Sequence, residues 1–170
     1  ENINQIMQRA PDWGRQIIIT AYLISNPYHK FTSILAVIEP DWINDPHHNN
    51  WGDDQRALVS SIDFTALDSS GKLGLIKLEG SSIFALDGQH RIMGIKGLQD
   101  LQSNKLQYMN KAGKVKGDRI GADEFFEEIG VTGINLRKIL NETMSIEFIP
   151  AVIKGETREE ARRRLRSYFV

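Results

Sequence analysis

The chain contains no cysteine. That excludes disulfides, thiol nucleophiles and thiolate metal sites, and it fits a reducing compartment, so a cytoplasmic location is expected. Neither sign of charge is in excess. Lys plus Arg number 21 against 22 for Asp plus Glu, a net charge of −1. A domain that holds nucleic acid by bulk charge is strongly basic, so any contact with DNA is expected through a local patch. No apolar run approaches the roughly 20 residues that span a bilayer. No basic start followed by an apolar stretch marks a secretory leader. No internal repeat is visible.

What is present is an ordinary globular balance, 41% hydrophobic and 25% charged over 170 residues. That length suits one domain with a sizeable core, and a single domain over 1–170 is expected. The sequence starts at Glu1 and stops at Val170 inside a helical pattern, so the expectation is a piece of a longer protein.

The segment "PDWGRQIIITAYLISNP" predicts a helix, with Pro11 in its first turn and Trp13, Ile17, Ala21 and Ile24 at helical spacing. "FTSILAVIEP" predicts a core strand ending at Pro40. "DWINDPHHNNWGDDQ" reads as a loop. Its Asp45, His47, His48, Asp53 and Asp54 include metal-ligand types without regular spacing, and a solvated loop is the simpler reading. "KLGLIKLEG" and "SSIFALDG" predict a hairpin around Gly80. Ile92, Ile95, Leu98 and Leu101 then mark a helix face. "NKAGKVKGDRIG" reads as a basic loop, followed by short helices in "ADEFFEEIG" and "NLRKILNET". "MSIEFIPAVIKG" predicts a strand with Ile146, Phe148 and Val152 on one face. "TREEARRRLRSYFV" predicts a final helix with a Thr157/Glu160 capping box and a stripe of Ala161, Leu165 and Phe169. Arg162, Arg163, Arg164 and Arg166 fall on its remaining arc and repel one another unless neutralised. The mixed order of short elements predicts an α+β domain.

The least ordinary stretch is "FALDGQHRIMGIKGL", Phe84 to Leu98. It begins as a strand and ends as a helix, with Asp87-Gly88-Gln89-His90-Arg91 between. A helix opening there exposes backbone N–H groups and the positive end of the macrodipole, which favour an anion. Gly88 allows close approach, Arg91 offers a planar fork for phosphate, and His90 can donate to phosphate or orient water. Asp87 can cap the helix, hold Arg91 or coordinate Mg²⁺ through water. The plain alternative is structural, with Asp87 as a cap and Arg91 paired to it.

"DGQHR" followed by "IMGI" resembles the signature of DGQHR-domain proteins, whose best-known group is the DndB-like proteins of bacterial DNA phosphorothioation. "NPYHKFTSILAVI" and "EFIPAVIKG" with "EEARRRLRSYF" are similar to the flanking segments of that family. The layout also resembles the ParB N-terminal and sulfiredoxin-like fold, a small mixed sheet flanked by helices with a helical insert. The resemblance implies that Gly88, Gln89, His90 and Arg91 face the phosphate of ATP or another NTP, with Asp87, His90 and Arg91 as catalytic candidates and Asp87 as the Mg²⁺ candidate. The absence of cysteine excludes sulfiredoxin chemistry. The implied function is a regulator in a DNA-modification or defence system, with ATPase activity and partners from that system, oligomers included. A non-catalytic DNA-binding transcriptional regulator and a ParB-like nuclease are the alternatives. For DNA, Lys114, Lys116, Arg162, Arg163 and Arg166 are the candidate contacts.

Overall fold

The apolar runs and capping signals produce five α-helices and seven strands among residues 10–168, which the computed structural model describes. The strands form three small sheets, and the class is α+β. The chain divides into two compact units: residues 35–86 with 147–168, and residues 10–34 with 87–146. Among the described residues no helix is long and apolar enough to cross a membrane.

In the first unit, the β-branched run before Pro40 forms β1 (Ile34–Pro40), and its Val37 and Ile38 are fully buried. The sequence predicts that the two strands around Gly80 pair with each other; they do not. β2 (Asp63–Ala66) takes β3 (Gly74–Lys77) as its antiparallel partner, Phe64 opposite Ile76. β4 (Ser81–Asp87) instead joins β1, in a sheet of order β4-β1-β7 with β7 (Ile146–Pro150). Gly74 permits the β2–β3 pairing. A Cβ there would lie 2.3 Å from the Phe64 ring, so the absent side chain is what lets β2 close on β3. β2 escapes sequence reading because it is only four residues long and all four are exposed, so its short alternation marks no buried face.

Val37, Ile43, Trp51, Leu86, Val152 and Leu165 anchor the core of this unit. The predicted β7 face is shifted. Ile149 is buried while Ile146 is half exposed, because the strand ends at Pro150 and Ala151 and Val152 leave its pleat to enter the core. The predicted loop after β1 holds a 3-10 turn (Asp41–Asn44) and a bridge between Trp51 and Ala57. The last helix, α5 (Arg158–Ser167), carries the predicted capping box: the Glu160 amide donates to the Thr157 hydroxyl at 3.2 Å, and the Thr157 amide to the Glu160 carboxylate at 2.8 Å. Ala161 and Leu165 are its buried stripe; Phe169 lies outside the described residues.

In the second unit, α1 (Arg15–Ser25) begins later than Pro11, behind a turn in which the Gly14 amide donates to the Asp12 carboxylate. It packs on α2 (Gln89–Gln102). The predicted α2 face holds at Leu98 and Leu101 but not at Ile92, which is 43% exposed. The true face includes Gly94 and Gly97. Without side chains there, the Thr20 hydroxyl reaches the Gly94 carbonyl at 3.1 Å while also donating to the Gln16 carbonyl at 2.8 Å. The predicted basic loop is instead strand and turn. β5 (Leu106–Met109) and β6 (Val115–Ile120) form an antiparallel hairpin, turning at Gly113, whose φ of 82° suits glycine. The predicted short helices are α3 (Ala122–Glu128) and α4 (Leu136–Leu140). Leu23, Leu98, Leu101, Leu106, Ile120 and Phe125 form this unit's core.

Candidate functional site

The five motif residues sit at the start of α2. Gly88 is the residue before the helix and takes the left-handed conformation, φ 93°. A Cβ there would be strained by that φ and would meet Ile34 at 3.1 Å and the Arg91 guanidinium at 3.3 Å. No side chain caps the helix. Asp87 therefore does not play the capping role open to it from sequence. One of its oxygens accepts from the adjacent Gly88 amide at 2.7 Å, and the other accepts from Arg91 Nη2 at 2.5 Å.

Arg91 is the hub. Its Nη1 donates to the Thr32 carbonyl at 2.7 Å, to the Thr32 hydroxyl at 2.6 Å and to the Ser33 carbonyl at 2.8 Å. The side chain is 18% exposed. One planar group thus fixes the start of α2 to the segment leading into β1, a task that suits guanidinium and not ammonium. His90 is also engaged. Its Nε2 accepts the Asp12 amide hydrogen at 3.2 Å, which puts the ring proton of the neutral imidazole on Nδ1. Gln89 is the first helical residue. The first rung of the helix runs from the Ile92 amide to the Gly88 carbonyl. The amides of His90 and Arg91 precede that rung and have no acceptor within the helix.

The sequence could not show Thr32, Ser33 or Asp12 as partners, because their separations of 59, 58 and 78 residues leave no local pattern. It also missed a cavity of about 360 Å³ in the second unit, lined by Leu23, Phe31, Ile95 and Leu140 with His29 and Glu142. There the His29 ring lies between the Asn26 carbonyl and the Glu142 carboxylate, each 2.8 Å away. Nearby on β5, Tyr108 donates to Glu128; burial and then that carboxylate push its phenol up to about 12.

Lys114 and Lys116 are exposed on the β5–β6 hairpin of the second unit, with Lys111 and Arg119. Arg162, Arg163 and Arg166 belong to α5 of the first unit. The arginine arc is partly neutralised from within. Arg163 pairs with Glu159 at 2.7 Å. Arg164 is largely buried, with two bonds to Glu156 of 2.7 and 2.9 Å and one to the Pro150 carbonyl of 3.1 Å. Burial opposes the charge on Glu156, but the Arg164 hydrogen bonds, the Ile153 amide and the Arg164 charge outweigh it and hold the carboxyl below its ordinary range. In the Asp45–Asp54 loop, the His47 amide donates to Asp45 and the His48 ring stacks on Trp42. Among the described residues, no three His, Cys, Asp or Glu side chains gather as a metal centre. Comparison of the chain with protein-family models, with curated proteins and with solved structures returns no match.

Proposed function

We propose that this chain is a DndB-like DGQHR-domain protein on a ParB/sulfiredoxin-like fold, a regulator that binds nucleotide phosphate at the start of α2 within a bacterial DNA-modification or defence system. The observation that carries the reading is the opening of α2 at Gly88. A left-handed glycine replaces a capping side chain, so two backbone donors and the positive helix end meet no competing acceptor from a cap. Behind them the Arg91 guanidinium, held by Thr32, Ser33 and Asp87, orders the helix start before any phosphate arrives. The motif sequence itself supports the family.

The same geometry narrows the chemistry. Asp87 is committed to Arg91 and His90 to the Asp12 amide. A general base needs an unengaged lone pair near its water, so binding is the activity proposed ahead of ATP turnover. Mg²⁺ is commonly held by one or two carboxylates together with substrate phosphates and waters; Asp87 is the carboxylate that would serve it, and since Asp87 is paired to Arg91 no step is assigned to the metal.

The test is titration of the chain with ATP, CTP and GTP, beside Arg91→Lys. Saturable, salt-sensitive binding, weakened about tenfold or more when the fork is lost, is the expected result. A folded wild-type chain that binds no nucleotide would remove the reading. The alternative of a DNA-binding regulator draws on the exposed Lys111, Lys114, Lys116 and Arg119 along one hairpin. It predicts DNA affinity that falls steeply with salt, ignores nucleotide and drops in Lys114→Ala/Lys116→Ala.

A further inference from the structure

The first unit carries a second arrangement built for an anion. Trp42 stacks on His48 at 6.0 Å and meets Trp51 edge-on at 5.3 Å. The Arg158 guanidinium lies over the Trp51 ring, 4.8 Å from its centroid. Such a cation–π contact satisfies the face of the guanidinium, not its N–H edges. Arg158 Nε and Nη2 are buried without a hydrogen-bond partner, and so is the indole Nε1 of Trp51. All three unmatched groups are donors. Native proteins leave few buried donors unmatched, and each such group calls for an explanation.

The charge balance points the same way. Burial and the positive charge of Arg162, one turn along α5, both work against the ionised Arg158. The nearby carboxylate is Asp45, whose charge favours Arg158 but which makes no hydrogen bond to it; Asp45 accepts from the His47 amide in its own turn. The backbone of α5 is not the attraction, since Thr157 and Glu160 close its capping box. The need is for a group that accepts several hydrogen bonds, donates none and carries more than one negative charge.

We propose that Arg158, the Trp51 indole N–H and the positive charge of Arg162 form a binding site for a phosphate monoester. A phosphoryl group offers three acceptor oxygens and nearly two negative charges, matching one guanidinium edge, one indole and a second positive charge. Trp42 and His48 provide a half-buried aromatic wall beside it. All of these residues belong to the first unit, and the inference does not depend on the nucleotide reading of the α2 start.

The test uses the full chain with Trp13→Phe, which leaves Trp42 and Trp51 as the fluorescent reporters. Glycerol phosphate, inorganic phosphate and acetate are titrated at ionic strength held constant with chloride. Glycerol phosphate and inorganic phosphate should give a saturable change, weakened about tenfold or more in Arg158→Gln. Asp45→Asn should tighten binding, because it removes a negative charge that competes for Arg158. Should Arg158→Gln fail to fold by circular dichroism, Trp51→Phe keeps the ring, removes the donor and should still weaken binding. No saturation in the folded parent overturns the proposal. So does acetate binding as tightly as phosphate, or phosphate binding that survives Arg158→Gln and vanishes in Arg91→Lys.

Discussion

Gly97→Ala places a methyl carbon 2.0 Å from the Thr20 hydroxyl oxygen and 3.2 Å from Cγ of Gln16. No rotamer change of Ala relieves this, since the clash is with the Cβ itself. Either α1 moves off α2 or the threonine turns. Overpacking of this kind costs about 1–3 kcal/mol. A turned hydroxyl also takes its one hydrogen away from the Gln16 and Gly94 carbonyls that share it, at about 1 kcal/mol. Against this, alanine is favoured over glycine in a helix by roughly 0.8–1 kcal/mol. The net expectation is a loss of about 2 kcal/mol from the second unit. Urea unfolding followed by far-ultraviolet circular dichroism reads it: the midpoint should fall by about 1 M with little change in slope. Thr20→Ala removes the clashing oxygen, so Gly97→Ala should cost much less in that background. A Gly97→Ala variant more stable than wild type would mean that propensity alone governs the site and that the close packing is not what the glycine serves. Strictly additive single and double variants would mean the same.

Other expectations follow from the junction and from α5. Arg91→Lys should lower stability by about 1–3 kcal/mol, since an ammonium cannot serve Asp87, Thr32 and Ser33 together; a thermal melt of the nucleotide-free chain checks this. The Glu156 carboxyl is held below its ordinary range in the folded chain. Its contribution is therefore present above the unfolded value and lost as pH falls through the folded one. An acid titration of stability should show this loss in wild type and a shallower slope in Glu156→Gln. Tyr108 behaves in the opposite direction. Its phenol is raised to about 12, so its contribution is complete below the ordinary tyrosine value and lost as pH climbs through the folded one. Ultraviolet difference titration of wild type against Tyr108→Phe should show one late-ionising tyrosine, and Glu128→Gln should bring it down.

The sequence announces the elements whose signals are local. The strand ending at Pro40, the two short helices after Ile120 and the Thr157/Glu160 box all rest on residues within one turn or one run, and all form. What it misplaces depends on distant partners. β4 pairs with β1 and not with its neighbour β3, while β3 takes β2, whose Phe64 ring packs over Gly74. The α2 face turns toward two glycines, which a count of apolar residues overlooks. The same division holds at the site. Asp87, Gly88, His90 and Arg91 stand out in sequence, and four residues suffice to place Arg91 beside Asp87. That Arg91 is also bound by Thr32 and Ser33, and His90 by Asp12, is a property of the folded second unit alone.

The interleaving of the two units has a consequence for biosynthesis. Among the described residues the first unit begins at residue 35, and it is not complete until α5 supplies Ala161 and Leu165 to its core. The second, built from residues 10–34 and 87–146, alternates with it along the sequence and waits for residue 146. Neither can be excised as one continuous stretch, and during synthesis the last residue of the second unit is added before the last helix of the first. A chain truncated after Gly155 and released would keep every described residue of the second unit while the first lacked its last helix, so it should hold folded second-unit structure beside an unfinished core.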